Sequence, residues 1–449
     1  MPQPLIIKAL PTVPDLLAVH AKHPERYPHL LNSNKAAICG EDNHNIARFD
    51  ILFACPQQTI TSNSENFLDQ LDAEWQQNRQ TLESTDLPFT GGWFLYFGYE
   101  LAGQIESALT LPEAEDGLPV AFATRFPAAI IIDAHKSEAF IVCESDYKEC
   151  VLQIESDLSE SCDASLYTQE FEISDMQEED ENAYLQQHTK LHNYIVEGDV
   201  FQVNLSRRWQ TQLQTPVTHA SLYHQLSQSN PGPFNALVTL GDKAIISSSP
   251  ERLIEVRDGC IQTRPIAGTR PRSDNKASDE NLSQELLAHP KERAEHIMLI
   301  DLERNDLGRV CEAGSIEVNE LMVIESYQHV HHIVSNIRGT ARKGVTPGQL
   351  IAAVFPGGTI TGCPKVRCME ILAELEQVGR GAYTGSLGYL NHDGSMDLNI
   401  LIRTITRNGD SLQFRAGGGI VVDSDPKNEL NETRAKAKGL IHALQTGNR

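Results

Sequence analysis

Hydrophobic positions along the chain follow two rhythms. Short apolar or alternating runs bounded by Gly, Pro, Asn or Asp recur from start to end: ARFDILFACP (residues 47–56), GWFLYFGYEL (92–101), AAIIIDAHKSEAFIVCES (128–145), GDVFQVNLSRRWQTQL (198–213) and VIESYQHVHHIVSNIRGTA (323–341). These predict strands, with a hairpin near His135–Ser137 in the third. The run at 243–268 predicts two strands joined by a turn at Asp258 and Gly259, and three more strand runs cover 381–392, 396–409 and 411–424. A helical period marks residues 181–197, where Tyr184, His188, Leu191 and Ile195 share a side and Gly198 supplies a C-terminal stop. Helices are likewise predicted at 292–304, in PGQLIAAVFPGG (347–358) with a break at Pro356, at 365–376, and from near Pro426 towards the end.

Strands and helices alternate without a regular βαβ rhythm, and many strands are joined by short turns. The predicted class is α+β: large antiparallel sheets packed face to face with helices on the outside, forming a single two-lobed domain. Residues 155–181 are acidic and lose hydrophobic periodicity, as a solvated connection would. The division expected is an N-terminal lobe at 1–157, an acidic linker at 158–182 and a catalytic region at 183–449.

Composition narrows the function classes. With 449 residues, 40% hydrophobic and 22% charged, the chain is an ordinary globular protein large enough for an extensive core. It has no long apolar span and no signal-peptide pattern, so no membrane and a cytoplasmic location are expected. Nine scattered cysteines include no C-x-x-C pair, which predicts reduced thiols. None lies in a G-x-C-x-G elbow, so no glutaminase nucleophile is present. A net charge of -24 argues against nucleic acid, but an anionic small substrate could still bind in the arginine-rich C-terminal half.

Candidate chemistry concentrates at residues 262–309. The turn QTRPIAGTRPR precedes a helix on which Glu292 and Glu295 stand at i and i+3, leaving one face. A second such pair, Glu429 and Glu432, lies on the last helix. Either pair alone could be a solvated acidic face. Two pairs beside glycine-rich and arginine-rich segments point instead to a shared hard cation, and carboxylates without His or Cys suit Mg²⁺. The glycine-rich turns at 355–365 and 415–424 could cradle carboxylate or phosphate oxygens, or could simply be tight turns. Glu251 ends a strand run, where acid–base groups and plain turn glutamates both occur. His332 belongs to a group with His329 and His331, and alternation places His332 on the opposite face from both. Tyr383 and Arg403 lie in strand runs, and an inward arginine needs an anionic partner. Lys365 opens a helix as a point charge or a surface residue.

SSSPERL, QTRPIAGTRPR, ERAEHIMLIDLERNDLGRV, HHIVS, FPGGTITGCPKVRCMEI, GAYTGSLGYL, LNILIRT and AGGGIVVDSDPKNELNET together resemble the chorismate-utilising enzymes, which include the anthranilate, aminodeoxychorismate, isochorismate and salicylate synthases. The likeness runs from about residue 181 to the C-terminus. It implies that Glu292, Glu295, Glu429 and Glu432 are the Mg²⁺-site acids, and that Arg403, Tyr383, Lys436, Gly418 and Gly419 hold the enolpyruvyl carboxylate of chorismate. It also implies that Thr359 and His332 stand around the ring, with Glu251 as the general acid for the departing hydroxyl.

The N-terminal third is similar to the aminodeoxychorismate branch, which implies amination at C4. The ammonia would come from a glutamine amidotransferase partner. Ala267 stands where many of that branch carry a lysine proposed to attack C2, and PIAGT matches the anthranilate branch instead. A remote alternative is a non-catalytic protein that binds chorismate or tryptophan. Leu30-Leu31-Asn32-Ser33 occupies the place of a Leu-Leu-Glu-Ser feedback element, which makes Ser33 a candidate effector contact.

Overall fold

The computed structural model describes residues 4–33, 38–39, 48–62, 66–80, 85–160, 163–273, 275–327 and 330–445. His329 and Cys162 lie outside them. Among the described residues, two antiparallel sheets of twelve and eleven strands carry the fold. The first runs in the order Leu5–Ala9, Glu138–Glu144, Ala128–Asp133, Phe49–Ala54, His29–Asn32, Phe234–Leu240, Lys243–Ser249, Thr404–Asn408, Ser411–Ile420, Gln202–Gln212 and Gln177–Glu178. The second runs from Ile38–Cys39 through Glu317–Tyr327, Val330–Thr340, Cys260–Thr263, Arg252–Arg257, Met396–Asn399, Ser386–Asn391, Gly92–Phe97 and Ala121–Phe126 to Thr59–Thr61, and Ile266–Pro271 also pairs with Val330–Thr340. In each sheet a strand from the first third of the chain pairs with one from the last half: Leu31 opposes Ala236, and Leu95 opposes Gly388.

The sheets bury their inner faces against each other. Ile51, Phe53, Ile131, Val238 and Ile245 of the first meet Phe94, Phe122, Leu387 and Tyr389 of the second. Helices cover the outer faces: Leu16–Lys22, Lys148–Ser159, His219–Ser229 and Pro426–Gln445 on the first, Phe67–Asn78, Pro290–Gly308 and Pro347–Val354 on the second. Alternation along each strand supplies one face to the partner sheet and the other to helices, which explains why so many strand residues are apolar.

Local chemistry sets the boundaries. Helix Glu181–Glu197 starts where Asp180 accepts the Ala183 N–H and stops at Gly198, whose φ of 86° closes the last carbonyls. Asp258 and Gly259 both take left-handed conformations, forming the expected two-residue hairpin between Arg257 and Cys260. The acidic connection is more ordered than its composition suggests: Phe171 is buried, and Gln177–Glu178 pairs with Trp209 and Gln210. Among the described residues no helix is long and apolar enough to cross a membrane. Cys55, Cys143, Cys150, Cys260, Cys311, Cys363 and Cys368 are free thiols.

Two breaks that hydrophobicity does not reveal place the site. The 243–268 run holds three strands and the start of a fourth, Ile266–Pro271, rather than two, and the break at Pro250 arises because proline cannot donate to a ladder and the chain passes there from the first sheet into the second. A return crossing lies between Met396–Asn399 and Thr404–Asn408. The crossings run side by side: Ile400 N–H donates to Glu251 O at 3.0 Å and Ser248 N–H to Arg403 O at 3.1 Å.

Candidate active site

Glu251 sits in the first crossing and is 5% exposed. The Ile266 N–H points at its carboxylate from 3.5 Å, and the Thr359 hydroxyl and Lys436 stand near it. Burial pushes its pKa up to about 7, against the opposing pull of those three groups. A carboxyl so poised carries a proton in much of the population at neutral pH, as an acid catalyst requires. The shift also has a stability consequence. The raised pKa means the protonated form supports the fold fully below the unfolded value, about 4.3, and that support is lost as pH rises through about 7. Glu251→Gln keeps the shape without ionising. It is therefore expected to melt a few degrees above wild type at about pH 8, with the gap closing by about pH 5. Thermal melts at both pH values check this, and a gap that does not change with pH would contradict it.

Arg403 lies in the return crossing with φ 53°, a left-handed conformation that costs a non-glycine residue about 1 kcal/mol or more. Burial lowers its pKa, and among the described residues Tyr383 opposes that shift. Among the described residues no carboxylate pairs with it. A desolvated guanidinium without a counter-ion, held by a strained backbone, is arranged for an anion from outside. Tyr383 is fixed from below: Arg380 stacks under its ring with 5.6 Å to the centroid, and buried Glu376 holds Arg380 at 2.8 Å and Arg415 at 3.2 Å. A Cβ on Gly417 would meet the Tyr383 hydroxyl at 2.8 Å, so only glycine lets that strand pass.

His332 is buried, with Thr269 opposite it on the neighbouring strand and 3.0 Å between Nδ1 and the Thr269 hydroxyl. Burial, reinforced by the charge of Arg403, lowers its pKa to about 4, so it stays a neutral imidazole at neutral pH. His331, on the opposite face, bonds to Ser326 and Asp279 instead.

Helix Pro290–Gly308, capped by His289 and opened by Pro290, carries Glu292 and Glu295; helix Pro426–Gln445 brings Glu429 and Glu432 towards them. Glu295 has its pKa raised by burial, and the charges of Glu292, Glu429 and Glu432 add to the shift. Glu429 is raised by burial and by Glu432. The four acids therefore share one field across two helices. A Cβ on Gly418 would lie 3.3 Å from Glu429 and 3.4 Å from Glu432, so the glycine strand runs directly over the second pair. Lys436 donates to Gly417 O at 2.9 Å and pairs with Glu432 at 2.8 Å. Gly268 bends the Ala267–Thr269 bulge onto Glu292, which Arg270 also approaches at 3.3 Å. Ala267 itself opposes Ile333 in the sheet. Three of the four carboxylates have a cation at hand, Arg270 at Glu292, Lys291 at Glu295 (3.7 Å) and Lys436 at Glu432, and the all-carboxylate donor set is of the kind a hard divalent ion such as Mg²⁺ takes.

Other predicted residues make further contacts. Gly419 turns towards Gln202. Lys365 pairs with buried Asp306, a structural role. Ser33 lines a cavity of about 630 Å³ between the sheets, with Arg48, Phe234, Arg252, Arg264 and Tyr389. Three residues near the site escaped the sequence reading. Asn204 donates to Ile360 O at 2.9 Å beside Tyr383, and Ser424 bonds to Glu429. Glu303 is buried within electrostatic reach of Glu251 and accepts from Gly358 N–H and Thr263 O–H, each at 3.3 Å. Glu303 extends the helical face of Glu292 and Glu295, and that period was the available signal.

The family described as chorismate binding enzyme matches residues 34–442. The chain belongs to the chorismate-binding enzymes. It is 42% identical, over 80% of its length and 74% of the relative's, to an anthranilate synthase component I-like protein of Synechocystis. It is 36% identical, over 90% of its length and 92% of the relative's, to aminodeoxychorismate synthase component 1 of Klebsiella aerogenes. The crystal structure of anthranilate synthase component I from Streptococcus pneumoniae superposes with a TM-score of 0.79 at 29% identity, covering 91% of this chain and 94% of that one. This chorismate-binding enzyme thus has the α+β two-sheet fold read from its strand pattern, while its similarity spans two reactions.

Proposed function

We propose that this chain is the synthase subunit that converts chorismate and ammonia to 4-amino-4-deoxychorismate and water, on the way to 4-aminobenzoate and folate. What supports this choice is the N-terminal third, where LPFTGGWFLYFGYELAGQIE resembles the aminodeoxychorismate branch, and the Klebsiella aerogenes relative of that branch aligns over 90% of this chain. Ammonia would come from a separate glutamine amidotransferase in the cytoplasm, since this chain has no G-x-C-x-G elbow.

The site's residues take roles that suit their environments. Arg403, the Tyr383 hydroxyl, Lys436 and the backbone N–H groups at Gly418 and Gly419 hold the enolpyruvyl carboxylate, giving Arg403 the anion it lacks. Thr359 and His332 flank the ring. Glu251 gives its proton to the C4 hydroxyl as a nucleophile bonds to C2, the ring double bonds shift, the C4–O bond breaks with its electron pair on oxygen, and water leaves. Ammonia then forms the C4–N bond, the double bonds shift back, the C2 bond breaks with its pair on the nucleophile, and a proton is released. Glu292, Glu295, Glu429 and Glu432 would hold Mg²⁺, which when bound neutralises and polarises the ring carboxylate. Ser33 would contact an effector in the inter-sheet cavity.

Ala267 supports a second reading, anthranilate synthesis by amination at C2, because an alanine forms no covalent intermediate. In the first reading the role at C2 falls to water, ammonia or a neighbouring amine. Product identity separates the two. Purified chain with chorismate, Mg²⁺ and an ammonium salt is expected to yield 4-aminobenzoate only after a pyridoxal-phosphate lyase is added. Fluorescent anthranilate formed without the lyase would overturn the choice. Tight binding of chorismate with no turnover, even with the amidotransferase supplied, would point to a non-catalytic protein.

A further inference from the structure

One row of side chains crosses three strands of the second sheet: Glu325 opposes His332, and His332 opposes Thr269. Directly opposed residues of antiparallel strands share a face, and so does Tyr327, two residues beyond Glu325. The Tyr327 ring meets the His332 ring edge-on, with centroids 5.3 Å apart. Its hydroxyl donates to Glu325 at 2.7 Å. Glu325 is 2% exposed and accepts from Arg264 through Nε at 2.8 Å and Nη2 at 2.6 Å, and Arg264 is braced in turn by Glu320 at 2.6 Å. Burial, together with the charge of Glu325, raises the Tyr327 phenol well above 10, so it remains a donor at any working pH. None of these groups faces substrate in the mechanism above, yet together they form a hydrogen-bonded wall behind the imidazole.

We propose that Tyr327 is a positioning residue, locked by Glu325 and Arg264, which fixes the plane of the His332 ring between Tyr327 and Thr269. It acts on the reaction only through His332, so the kinetic part rests on the role given to His332 above. The packing arrangement does not. An edge-on ring contact restrains tilt, and the Thr269 hydrogen bond restrains rotation about the ring normal. Removing the phenol oxygen frees Tyr327 to rotate away from Glu325 and loosens the first restraint while leaving the ring in place. Small misplacements of a group at the reacting centre cost rate more than binding.

Tyr327→Phe in the full chain is expected to lower kcat for chorismate about five- to tenfold, with KM within about twofold. In a His332→Asn background, the same substitution is expected to cause no further loss of the residual turnover, because the two residues act as one unit. Equal losses in both backgrounds, or an unchanged kcat, would overturn the proposal, since a purely structural role is indifferent to His332. A second readout needs no turnover. The His332 Cε1–H resonance, assigned by its loss in His332→Asn, is expected to shift in Tyr327→Phe and in the alternative variant Glu325→Gln. An unmoved resonance in both would also overturn the proposal. Failure of wild type to consume chorismate would count against the substrate reading alone, and the resonance would still decide this inference.

Discussion

Glu251→Gln is expected to lower kcat with chorismate by about 10²- to 10⁴-fold near neutral pH, the usual worth of a positioned general acid. The position of Glu251 accounts for so large an effect. It lies in a sheet crossing from which Pro250 excludes ladder pairing, it is almost fully buried, and its carboxyl is lifted to about 7. A glutamine retains the amide shape and the approach of the Ile266 N–H but cannot give up a proton to a departing hydroxyl. The pH profile sharpens the prediction. In wild type, kcat/KM is expected to fall as pH rises through about 7, because the acid is lost as Glu251 ionises. In the variant that limb is expected to disappear. A variant within about threefold of wild type, or one that keeps the same limb, would remove Glu251 from the chemistry.

Glu295→Gln is expected to have the other large effect. Burial raises the Glu295 and Glu429 carboxyls first, neighbouring glutamate charges add to both shifts, and Lys291 opposes both. Removing one charge should therefore leave the apo fold as stable as wild type or more so, while weakening Mg²⁺ binding by about a hundredfold or more. In wild type, Mg²⁺ is expected to raise the melting temperature, since an ion that binds only the folded state stabilises it by mass action. That rise should vanish in Glu295→Gln, together with Mg²⁺-dependent turnover of chorismate. A variant that keeps both would reduce the paired acids to a solvated face. The melting arm needs no substrate, so it tests the metal site independently of which product forms.

The architecture was legible because its signals are local. Alternation marked the strands, Gly198 marked the end of a helix, and Asp258-Gly259 marked a hairpin. The two acidic pairs were visible because a helix puts i and i+3 on one face. That they share a cation was an expectation from their number and setting; how two helices from distant parts of the chain meet at the glycine strand was not in the local pattern. The crossings at Pro250–Glu251 and Ile400–Arg403 were also hidden. Each lies inside an unbroken strand-like run, and hydrophobicity does not report which sheet a residue joins. The isolation of Arg403 from any carboxylate among the described residues, and the wall formed by Glu325 and Tyr327 behind His332, emerge only from tertiary pairing. Resemblance supplied the roles that composition could not, and Ala267 remains the residue where two branches of the family give different answers.

The central claim is that the paired sheet crossings and the two acidic helices form one chorismate site. A crystal structure of the chain with Mg²⁺ and a non-reactive chorismate analogue tests it most directly. The account predicts a metal among Glu292, Glu295, Glu429 and Glu432, with one ligand carboxylate on it and the other on Arg403, and the ring beside Glu251 and His332. An analogue bound only in the inter-sheet cavity beside Ser33, or a metal bound elsewhere with Arg403 left unpaired, would contradict it.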